Sequence, residues 1–570
     1  KPADKFRYIG KQSTKLIDGE DIVTGKAIYG IDVQVDGMVH AVIARPPVYG
    51  GKVKSFDDSE TMKVPGVIKV VTLEGSPPPA VFNPLGGIAV IAANTWAAMQ
   101  GREKLKIEWE HGENASYNTD EYRQQMLKSA SSSGGKVLRS SGDVSKALET
   151  ADKTFKADYY IPHLSQAPME PPVATARIQD GKCEVWAPTQ APQASKDTVA
   201  KWLDISSDDV TVHVTLLGGG FGRKSKPDYL VEAALLSKAM DGRAVQVTWS
   251  REDDLHNGYL HTVSIEHLEA AVNADGKTTG WLHRTVAPSI SSTFDASSVH
   301  QMPIELGMGV MNIPFAIDNI QLENPAAKAH TRIGWFRSVA NIPRAFAIQS
   351  FIAEMADELG QDHKAFLLDL IGPARKIDPV ELKDEWNYGE SPEEYPLDTG
   401  RLRRVVEAVC EKANWGRDLP AGRGLGLATH YSFVTYTAAI VEVEVSEDGD
   451  LTIPRIDIAV DCGPQVNPER IRSQMEGACI MGISLAMVGE ISFKDGAVQQ
   501  DNFDSYQVTR MNESPREVHV HLLPAEDFNT PLGGVGEPGL PPIAPALCNA
   551  IFAATGKRIR DLPIRYQLES

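Results

Sequence analysis

The sequence predicts an α+β protein of several domains, on the basis of its length, its hydrophobic periodicity and its turns. A domain usually has ~100–200 residues, so a chain of 570 residues is expected to fold into about three or four of them. Alternating apolar residues indicate strands, and apolar positions three or four residues apart indicate helices. Asp-Gly turns at 180–181, 275–276 and 448–449 each separate two strand-like runs, which is typical of antiparallel hairpins.

The N-terminal part is predicted to be a small mixed domain over residues 21–128, preceded by a connecting segment at 1–20. Its strands are predicted from β-rich runs bounded by turn residues. They lie at 40–45, 67–73, 88–93 and 104–110. A Ser/Gly-rich stretch at 129–145 follows, and its composition is typical of a flexible linker or surface loop.

The rest of the chain is predicted to form two larger domains, at 146–383 and 400–570, joined by a polar linker rich in Pro, Glu and Tyr at 384–399. Helical periodicity is clearest in five segments of these domains. They are 228–240, 344–359, 401–415, 469–487 and 541–556.

The composition is typical of a globular protein and excludes some functions. A net charge of -19 and a pI of about 5.3 argue against nucleic acid as a partner, because phosphate binding needs a dense basic face. The longest apolar stretch, 88–99, is shorter than the ~18–20 residues of a membrane span. The five cysteines are scattered without a C-x-x-C pair, so neither an iron–sulfur cluster nor a zinc site is predicted in this chain.

The first candidate site segment is the loop Gly218-Gly219-Gly220-Phe221-Gly222, between a predicted strand and a predicted helix. Glycines let backbone N–H groups approach a ligand closely, so the loop suits an anionic or planar ligand. A phosphate-binding P-loop is not expected, since Arg223 stands where that pattern requires glycine. The alternative is a strand-to-helix turn without a function.

The second segment is Gly334-Trp335-Phe336-Arg337-Ser338, just before a predicted helix. A guanidinium makes paired hydrogen bonds to phosphates or polar heterocycle edges, which a cofactor site could use. The alternative is an arginine that only covers apolar surface.

The third segment is Gly533-Gly534-Val535-Gly536-Glu537-Pro538, followed by a proline-rich apolar run. Apolar packing would desolvate Glu537 and raise its pKa towards that of a general base. The N-terminus of the following helix would oppose this rise, because it favours the ionised carboxylate. The alternative to a general base is a glutamate that only stabilises the start of that helix.

Taken together and in this order, the three segments resemble the molybdopterin-binding large subunit of the xanthine dehydrogenase and aldehyde oxidase family. The similarity is strongest to its bacterial branch of isoquinoline 1-oxidoreductase β-subunits and membrane-associated aldehyde dehydrogenases. It extends over nearly the whole chain, including 25–30, 168–171 and 334–339. The resemblance implies a molybdenum hydroxylase fold with an α/β-hammerhead domain and two molybdopterin-binding domains.

The resemblance also implies roles for individual residues. Glu537 matches the catalytic base, which accepts a proton while a water-derived oxygen attacks an electron-poor carbon. The residues that match cofactor-binding positions are Gln190, Gly220, Phe221, Gly222, Phe336, Arg337 and Gly536. In this family the pterin holds the molybdenum, so no protein metal ligand is expected.

Two departures from the family matter. Ser225 stands where purine-oxidising members have a glutamate that binds substrate, so xanthine is not the expected substrate. The Glu-Met-Gly-Gln-Gly motif that precedes the Lys-Pro start in this branch is absent from this sequence. We therefore expect the molybdopterin cytosine dinucleotide to be shared with another chain or with an N-terminal segment that supplies this motif.

The expected reaction is oxidation of an aldehyde to a carboxylic acid, with hydroxylation of an N-heteroaromatic ring as the alternative. A subunit for assembly or binding, without a cofactor, is the alternative from another functional class. The resemblance implies a small [2Fe–2S] partner subunit, with a cytochrome c subunit as a candidate electron acceptor. It also implies the periplasmic side of the bacterial inner membrane, reached through partners, and the cytoplasm is the alternative.

Overall fold

The computed structural model describes residues 2–11, 15–525 and 527–569. The strands within these residues are β1 (Val39–Ala44), β2 (Lys52–Asp57), β3 (Val67–Leu73), β4 (Gly87–Ala92), β5 (Lys106–Glu110), β6 (Lys136–Ser141), β7 (Lys153–Ile161), β8 (Val173–Gln179), β9 (Lys182–Ala187), β10 (Val210–Val214), β11 (Val245–Thr248), β12 (Ser264–Val272), β13 (Thr278–Val286), β14 (Asn319–Asn324), β15 (Lys376–Ile377), β16 (Leu397–Asp398), β17 (Arg423–Ser432), β18 (Thr435–Val445), β19 (Leu451–Asp461), β20 (Phe493–Lys494), β21 (Ala497–Val498) and β22 (Glu517–Leu522).

The α-helices are α1 (Gly19–Thr24), α2 (Thr95–Lys104), α3 (Thr119–Ser131), α4 (Val144–Glu149), α5 (Pro192–Leu203), α6 (Asp228–Ala239), α7 (Arg251–Asn257), α8 (Pro303–Leu306), α9 (Asn341–Glu358), α10 (His363–Ile371), α11 (Thr399–Lys412), α12 (Pro468–Met487) and α13 (Ile543–Thr555). Each of the five predicted helices is found, as α6, α9, α11, α12 and α13, with ends that differ by three residues or fewer. Among the described residues, no helix is both long and apolar enough to span a lipid bilayer.

A seven-stranded sheet joins the N-terminal part to the segment that follows. Its strand order is β10-β9-β8-β11-β1-β4-β3, and β1 pairs in parallel with β11. The inward-facing residues of this sheet pack against α5 and α6. The sheet therefore extends on both sides of the predicted boundary near residue 128, and residues 21–128 share their core with the next segment.

The Ser/Gly-rich stretch that was predicted to be a linker is part of the fold. The helix α3 extends to Ser131, and β6 pairs with β14 in a five-stranded sheet of order β6-β14-β13-β12-β7. This prediction was wrong because an edge strand needs only backbone groups to pair, so small polar residues can form it. The segment 384–399 is packed as well: Asp384 and Asn387 are buried and β16 pairs with β15.

A four-stranded sheet of order β17-β18-β19-β22 forms the centre of the C-terminal half. One large apolar core contains its residues together with those of α9, α11, α12 and α13. All three candidate site segments are loops next to buried elements of these cores. The loop 218–222 lies between β10 and α6, the loop 334–340 precedes α9, and the loop 533–540 precedes α13.

Candidate active site

The three predicted segments meet at one cavity of about 690 Å³. Eight of its lining residues come from outside these segments: Phe82, Gln190, Ala191, Ala194, Leu217, Ser225, Val339 and Gln474. All eight residues that were predicted for the site from the sequence line it, namely Gln190, Gly220, Phe221, Gly222, Phe336, Arg337, Gly536 and Glu537.

The glycine loop is shaped by close backbone contacts. Gly222 has a φ of +102°, and a Cβ there would lie 2.2 Å from the carbonyl oxygen of Trp335. Only glycine fits such a position without a shift of the neighbouring loop. Phe221 has a φ of +49° and is 38% exposed, and a positive φ is strained for a bulky residue. This loop therefore presents an aromatic ring at the cavity.

Gln190 holds the glycine loop from a second segment, three residues after β9. Its Oε1 accepts a hydrogen bond from the N–H of Gly222 at 3.2 Å, and its own N–H donates to the carbonyl oxygen of Lys224 at 2.9 Å. A Cβ at Gly220 would lie 2.5 Å from this Oε1. Gln190 Nε2 makes no hydrogen bond within the described residues, so it is available to a ligand.

Arg337 ties the three loops together. Its Nε donates to the carbonyl oxygen of Gly536 at 2.7 Å, and its Nη2 donates to the carbonyl oxygen and Oε1 of Gln474 at 2.8 and 3.1 Å. Its backbone N–H donates to the carbonyl oxygen of Phe221 at 3.1 Å. Burial lowers the pKa of the guanidinium, and the nearby Glu537 opposes this shift. Phe336 is buried beside Arg337 and packs edge-on against His261.

Glu537 is fixed by Ser338. The N–H of Ser338 donates to Oε2 of Glu537 at 2.5 Å, and the Ser338 hydroxyl donates to the Glu537 carbonyl oxygen at 2.7 Å. The other carboxylate oxygen, Oε1, accepts no hydrogen bond from the described residues. Burial raises the pKa of this carboxyl, while the Ser338 N–H and the Arg337 charge act in the opposite direction. The net rise is suited to a group that accepts a proton.

Glu537 does not lie in the first turn of a helix, which was one of the interpretations of the sequence. The helix α13 begins at Ile543, and residues 537–542 form turns before it. The proline-rich run delays the helix, so an amide of the neighbouring loop takes the place of the helix N-terminus in binding the carboxylate.

Several residues at the site were missed from the sequence. Ser338 binds Glu537 mainly through its backbone N–H and has a φ of +75°. Neither feature can be recognised from the residue type. Asn341 lies behind it, where Nδ2 donates to the Ser338 carbonyl oxygen at 3.0 Å and Oδ1 interacts with His430 Nε2 at 2.8 Å. Phe82 and Gln474 reach the cavity only through tertiary packing.

Two parts of the chain match the molybdopterin cofactor-binding domain, over residues 130–368 and 405–515. A membrane-bound aldehyde dehydrogenase (pyrroloquinoline-quinone) of Gluconacetobacter polyoxogenes is 30% identical to this chain, over 99% of this chain and 73% of its own length. The isoquinoline 1-oxidoreductase β-subunit of Brevundimonas diminuta is also 30% identical, over 98% of this chain and 68% of its own length. The chain belongs to the molybdopterin-binding large subunits of the xanthine oxidase family.

The fold agrees with this family. Quinoline 2-oxidoreductase from Pseudomonas putida 86 superposes with a TM-score of 0.80 at 14% identity, covering 99% of this chain and 98% of that one. The aldehyde oxidoreductase from Desulfovibrio gigas gives 0.79 at 17% identity, covering 100% of this chain and 81% of that one. The predicted multi-domain α+β large-subunit fold is confirmed, and so is its class as a molybdopterin-dependent oxidoreductase.

The cavity fits a molybdopterin cofactor. A Cβ at Gly536 would meet nothing within 4 Å, so the backbone there leaves open space for a ligand. The N–H groups of Gly220 and Phe221 donate to no acceptor within the described residues, and they can serve the anionic oxygens of a pterin cofactor. Among the described residues, no group of three His, Cys, Asp or Glu side chains could hold a metal ion.

Proposed function

We propose that this large subunit oxidises an aldehyde to a carboxylic acid, with Glu537 as the catalytic base. The observation that carries this proposal is the Glu537 carboxylate, which lines the cavity with one oxygen bound to Ser338 and the other free of hydrogen bonds from the described residues. The name of the relative from Gluconacetobacter polyoxogenes, an aldehyde dehydrogenase, supports the substrate class. In the overall reaction, RCHO and H₂O give RCOOH, two electrons and two protons.

Each carboxylate oxygen of Glu537 has a separate task. Oε2 is fixed by the Ser338 N–H, which sets the direction in which Oε1 points. Oε1 accepts a proton released from the water-derived nucleophile, and the raised pKa of Glu537 makes the carboxylate a stronger proton acceptor than an exposed glutamate. When bound, the molybdenum cofactor activates the oxygen and takes up the two electrons.

The other site residues shape and hold the cofactor in this proposal. Gln190 Nε2 and the N–H groups of Gly220 and Phe221 donate hydrogen bonds to it, and Gly222 keeps the glycine loop close to Trp335. Arg337 fixes the carbonyl of Gly536, which aligns the segment that carries the base. Phe336 is buried and packs edge-on against His261.

The form of the cofactor and the partners are part of the same proposal. We expect the cytosine dinucleotide form, which chromatography of the extracted nucleotide would identify. Two relatives are named as single subunits, one of an isoquinoline 1-oxidoreductase and one of a nicotinate dehydrogenase. Their names support a complex of several subunits. We expect a [2Fe–2S] subunit of this complex to take the electrons and pass them to a cytochrome c subunit. We expect this complex on the periplasmic side of the inner membrane, and the cytoplasm is the alternative.

A second candidate reaction is hydroxylation of an N-heteroaromatic ring. The aromatic side chains that line the cavity, together with the name of the isoquinoline oxidoreductase relative, favour it as the alternative. A binding or assembly subunit without a cofactor is the remaining alternative, and it would contain no molybdenum.

Assays of the purified, molybdenum-containing complex test the proposal. Acetaldehyde and isoquinoline should be supplied without O₂, with a dye as the electron acceptor, and acetate should be measured directly. We expect acetate to form, with two electrons transferred to the dye for each molecule of acetate. Oxidation of isoquinoline alone would favour the second reaction, and turnover of neither compound would overturn the substrate assignment. A complex without molybdenum would favour the assembly subunit.

A further inference from the structure

The Ser338–Val339 turn, which presents a hydrogen-bond donor to Glu537, has a strained backbone. Ser338 has a φ of +75° and Val339 has a φ of +48°, and neither residue is glycine. A positive φ is uncommon for a residue with a side chain, and it is most unfavourable for a β-branched residue such as valine. Strained conformations persist only where the surrounding structure enforces them. Contacts from outside the turn are therefore needed to hold it.

The first turn of α9 holds this strained segment only in part. The Asn341 N–H donates to the Ser338 carbonyl oxygen at 3.0 Å, whereas the Ile342 N–H lies 3.5 Å from the Val339 carbonyl oxygen. The second distance is long for a hydrogen bond from an amide. A shorter bond comes from another part of the chain, because His261 Nε2 lies 2.9 Å from the same Val339 oxygen.

His261 makes this hydrogen bond as a neutral donor in one tautomer. Burial lowers the pKa of His261 to about 4, so near neutral pH the imidazole is uncharged and carries one ring proton. A carbonyl oxygen only accepts hydrogen bonds, so the proton lies on Nε2 and points at Val339. His261 Nδ1 is buried and has no hydrogen-bond partner within the described residues, as expected for the unprotonated nitrogen.

The segment that carries His261 also holds the start of the loop that precedes α9. The Leu260 N–H donates to the Arg332 carbonyl oxygen at 2.9 Å, and the Leu260 carbonyl oxygen accepts from the Gly334 N–H at 3.0 Å. The segment itself is fixed, since the His261 carbonyl oxygen accepts a hydrogen bond of 2.8 Å from His163 Nδ1. Both ends of the loop are therefore attached to one segment, by the backbone at the start and by the imidazole at the end.

We propose that His261 is a positioning residue for the base: its Nε2–H holds the Val339 carbonyl and thereby keeps the Ser338 N–H on Glu537 Oε2. This inference rests on the proposed function, in which Glu537 accepts the proton. His261 does not line the cavity, so it acts through the turn. Without this donor the turn should relax, and Glu537 should lose both its fixed direction and a contact that stabilises its ionised form.

Two substitutions of His261 form a matched pair. The amide nitrogen of glutamine extends about as far from the backbone as imidazole Nε2, whereas that of asparagine extends only as far as Nδ1. His261→Gln should therefore keep a donor on Val339, and His261→Asn should lose it, although both place an uncharged amide at the same buried position. His363→Asn is the control. Burial lowers the pKa of His363 to about 4 as well, but this ring packs on Trp415, and its Nε2 has no hydrogen-bond partner within the described residues.

The kinetics of the molybdenum-containing complex provide the first test. In His261→Asn, kcat should fall about 10-fold, as is typical when a supporting residue is lost, with little change in KM. The acidic limb of kcat/KM should move to a higher pH, because the Ser338 N–H lowers the pKa of Glu537 in wild type. Arg337, which also lowers this pKa, is unchanged in every variant. His261→Gln should recover most of kcat and the wild-type limb, and His363→Asn should retain both. An unmoved limb in His261→Asn, or an equal loss in the two His261 variants, would overturn the inference.

Hydrogen–deuterium exchange separates this inference from the reaction. Mass spectrometry of a peptide that contains Ser338 reports the protection of the turn in the same complex without any turnover. We expect faster exchange in His261→Asn than in wild type, His261→Gln and His363→Asn. Equal exchange in His261→Asn and wild type would overturn the inference. Faster exchange in His261→Asn together with an acidic limb that Glu537→Gln retains would instead overturn the proposed function, because the turn would be held as described while Glu537 is not the base.

Discussion

Gly220 and Gly222 in the first glycine-rich loop and Gly536 in the second are glycine for different reasons. In the first loop, a Cβ at Gly220 or Gly222 would lie 2.5 or 2.2 Å from neighbouring protein atoms. In the second loop, a Cβ at Gly536 would meet no atom within 4 Å. The first loop therefore needs glycine to pack against the protein, whereas Gly536 leaves space that a ligand can occupy.

This difference shows that similar sequence patterns can carry different tasks within one site. The first loop is a fixed surface, tied to Gln190 and Trp335. The second carries the reacting carboxylate, and its position is set by hydrogen bonds from Ser338 and Arg337. Substitutions at Gly222 and at Gly536 should therefore fail in different ways, through packing at Gly222 and through ligand binding at Gly536.

The largest effect is expected for Glu537→Gln. The amide keeps the size of the side chain but cannot accept the proton, so turnover should fall by about 10²–10⁴-fold while the molybdenum content stays normal. Glu469→Gln, at an exposed site in the first turn of α12, is the matched control and should have wild-type turnover. Turnover of Glu537→Gln close to that of wild type would refute the role of the base.

Gly222→Ala should have the next largest effect. The added Cβ clashes with the Trp335 carbonyl and requires a left-handed conformation, so the glycine loop must move, and a shift of about 1 Å near a reacting centre can cost 100-fold in turnover. Both the unfolding temperature and the molybdenum content of the complex should fall. Gly25→Ala is the control, since Gly25 has a φ of +72° and no atom within 4 Å of a Cβ. If both variants lose activity equally, the contact with Trp335 is not the cause.

A smaller effect is expected for Asn341→Ala. This change removes the side chain behind Ser338 and leaves the buried His430 Nε2 without its partner. Loss of a supporting residue of this kind typically costs about 10-fold, and here it should act on kcat with little change in KM. Asn341→Asp, which retains an oxygen acceptor for His430, should recover part of the loss. A change confined to thermal stability would show that Asn341 has only a structural role.

Gly536→Ala should have a smaller effect on activity than Gly222→Ala, and it should affect ligand binding instead of stability. The fold has room for the methyl group, so the unfolding temperature should stay near that of wild type. The group enters space at the cavity, so the molybdenum content or the KM for the aldehyde should change instead. A large fall in unfolding temperature with an unchanged KM would contradict the distinction between the two loops.

The hydrophobic periodicity predicted the helices well because their apolar residues recur at helical spacing, most regularly in α11, whose buried residues lie on one face. The Ser/Gly-rich stretch was misinterpreted because the pairing of β6 with β14 depends on backbone groups about 180 residues apart. The site segments were found as motifs, since glycines and a carboxylate are visible in the sequence. Ser338, Asn341 and Phe82 could not be found in this way, because a backbone donor, a buried support and a distant ring acquire their positions only on folding.

The dependence of kcat/KM on pH tests the central claim most directly, because it reports the pKa of the base in the free enzyme. Glu537 must be ionised to accept a proton, so kcat/KM should fall as the pH drops through its pKa. Burial raises this pKa above 4.5, and the acidic limb of the wild-type profile should therefore lie above 4.5. The residual activity of Glu537→Gln should lack this limb. A wild-type limb at or below 4.5, or the same limb in Glu537→Gln, would contradict the account.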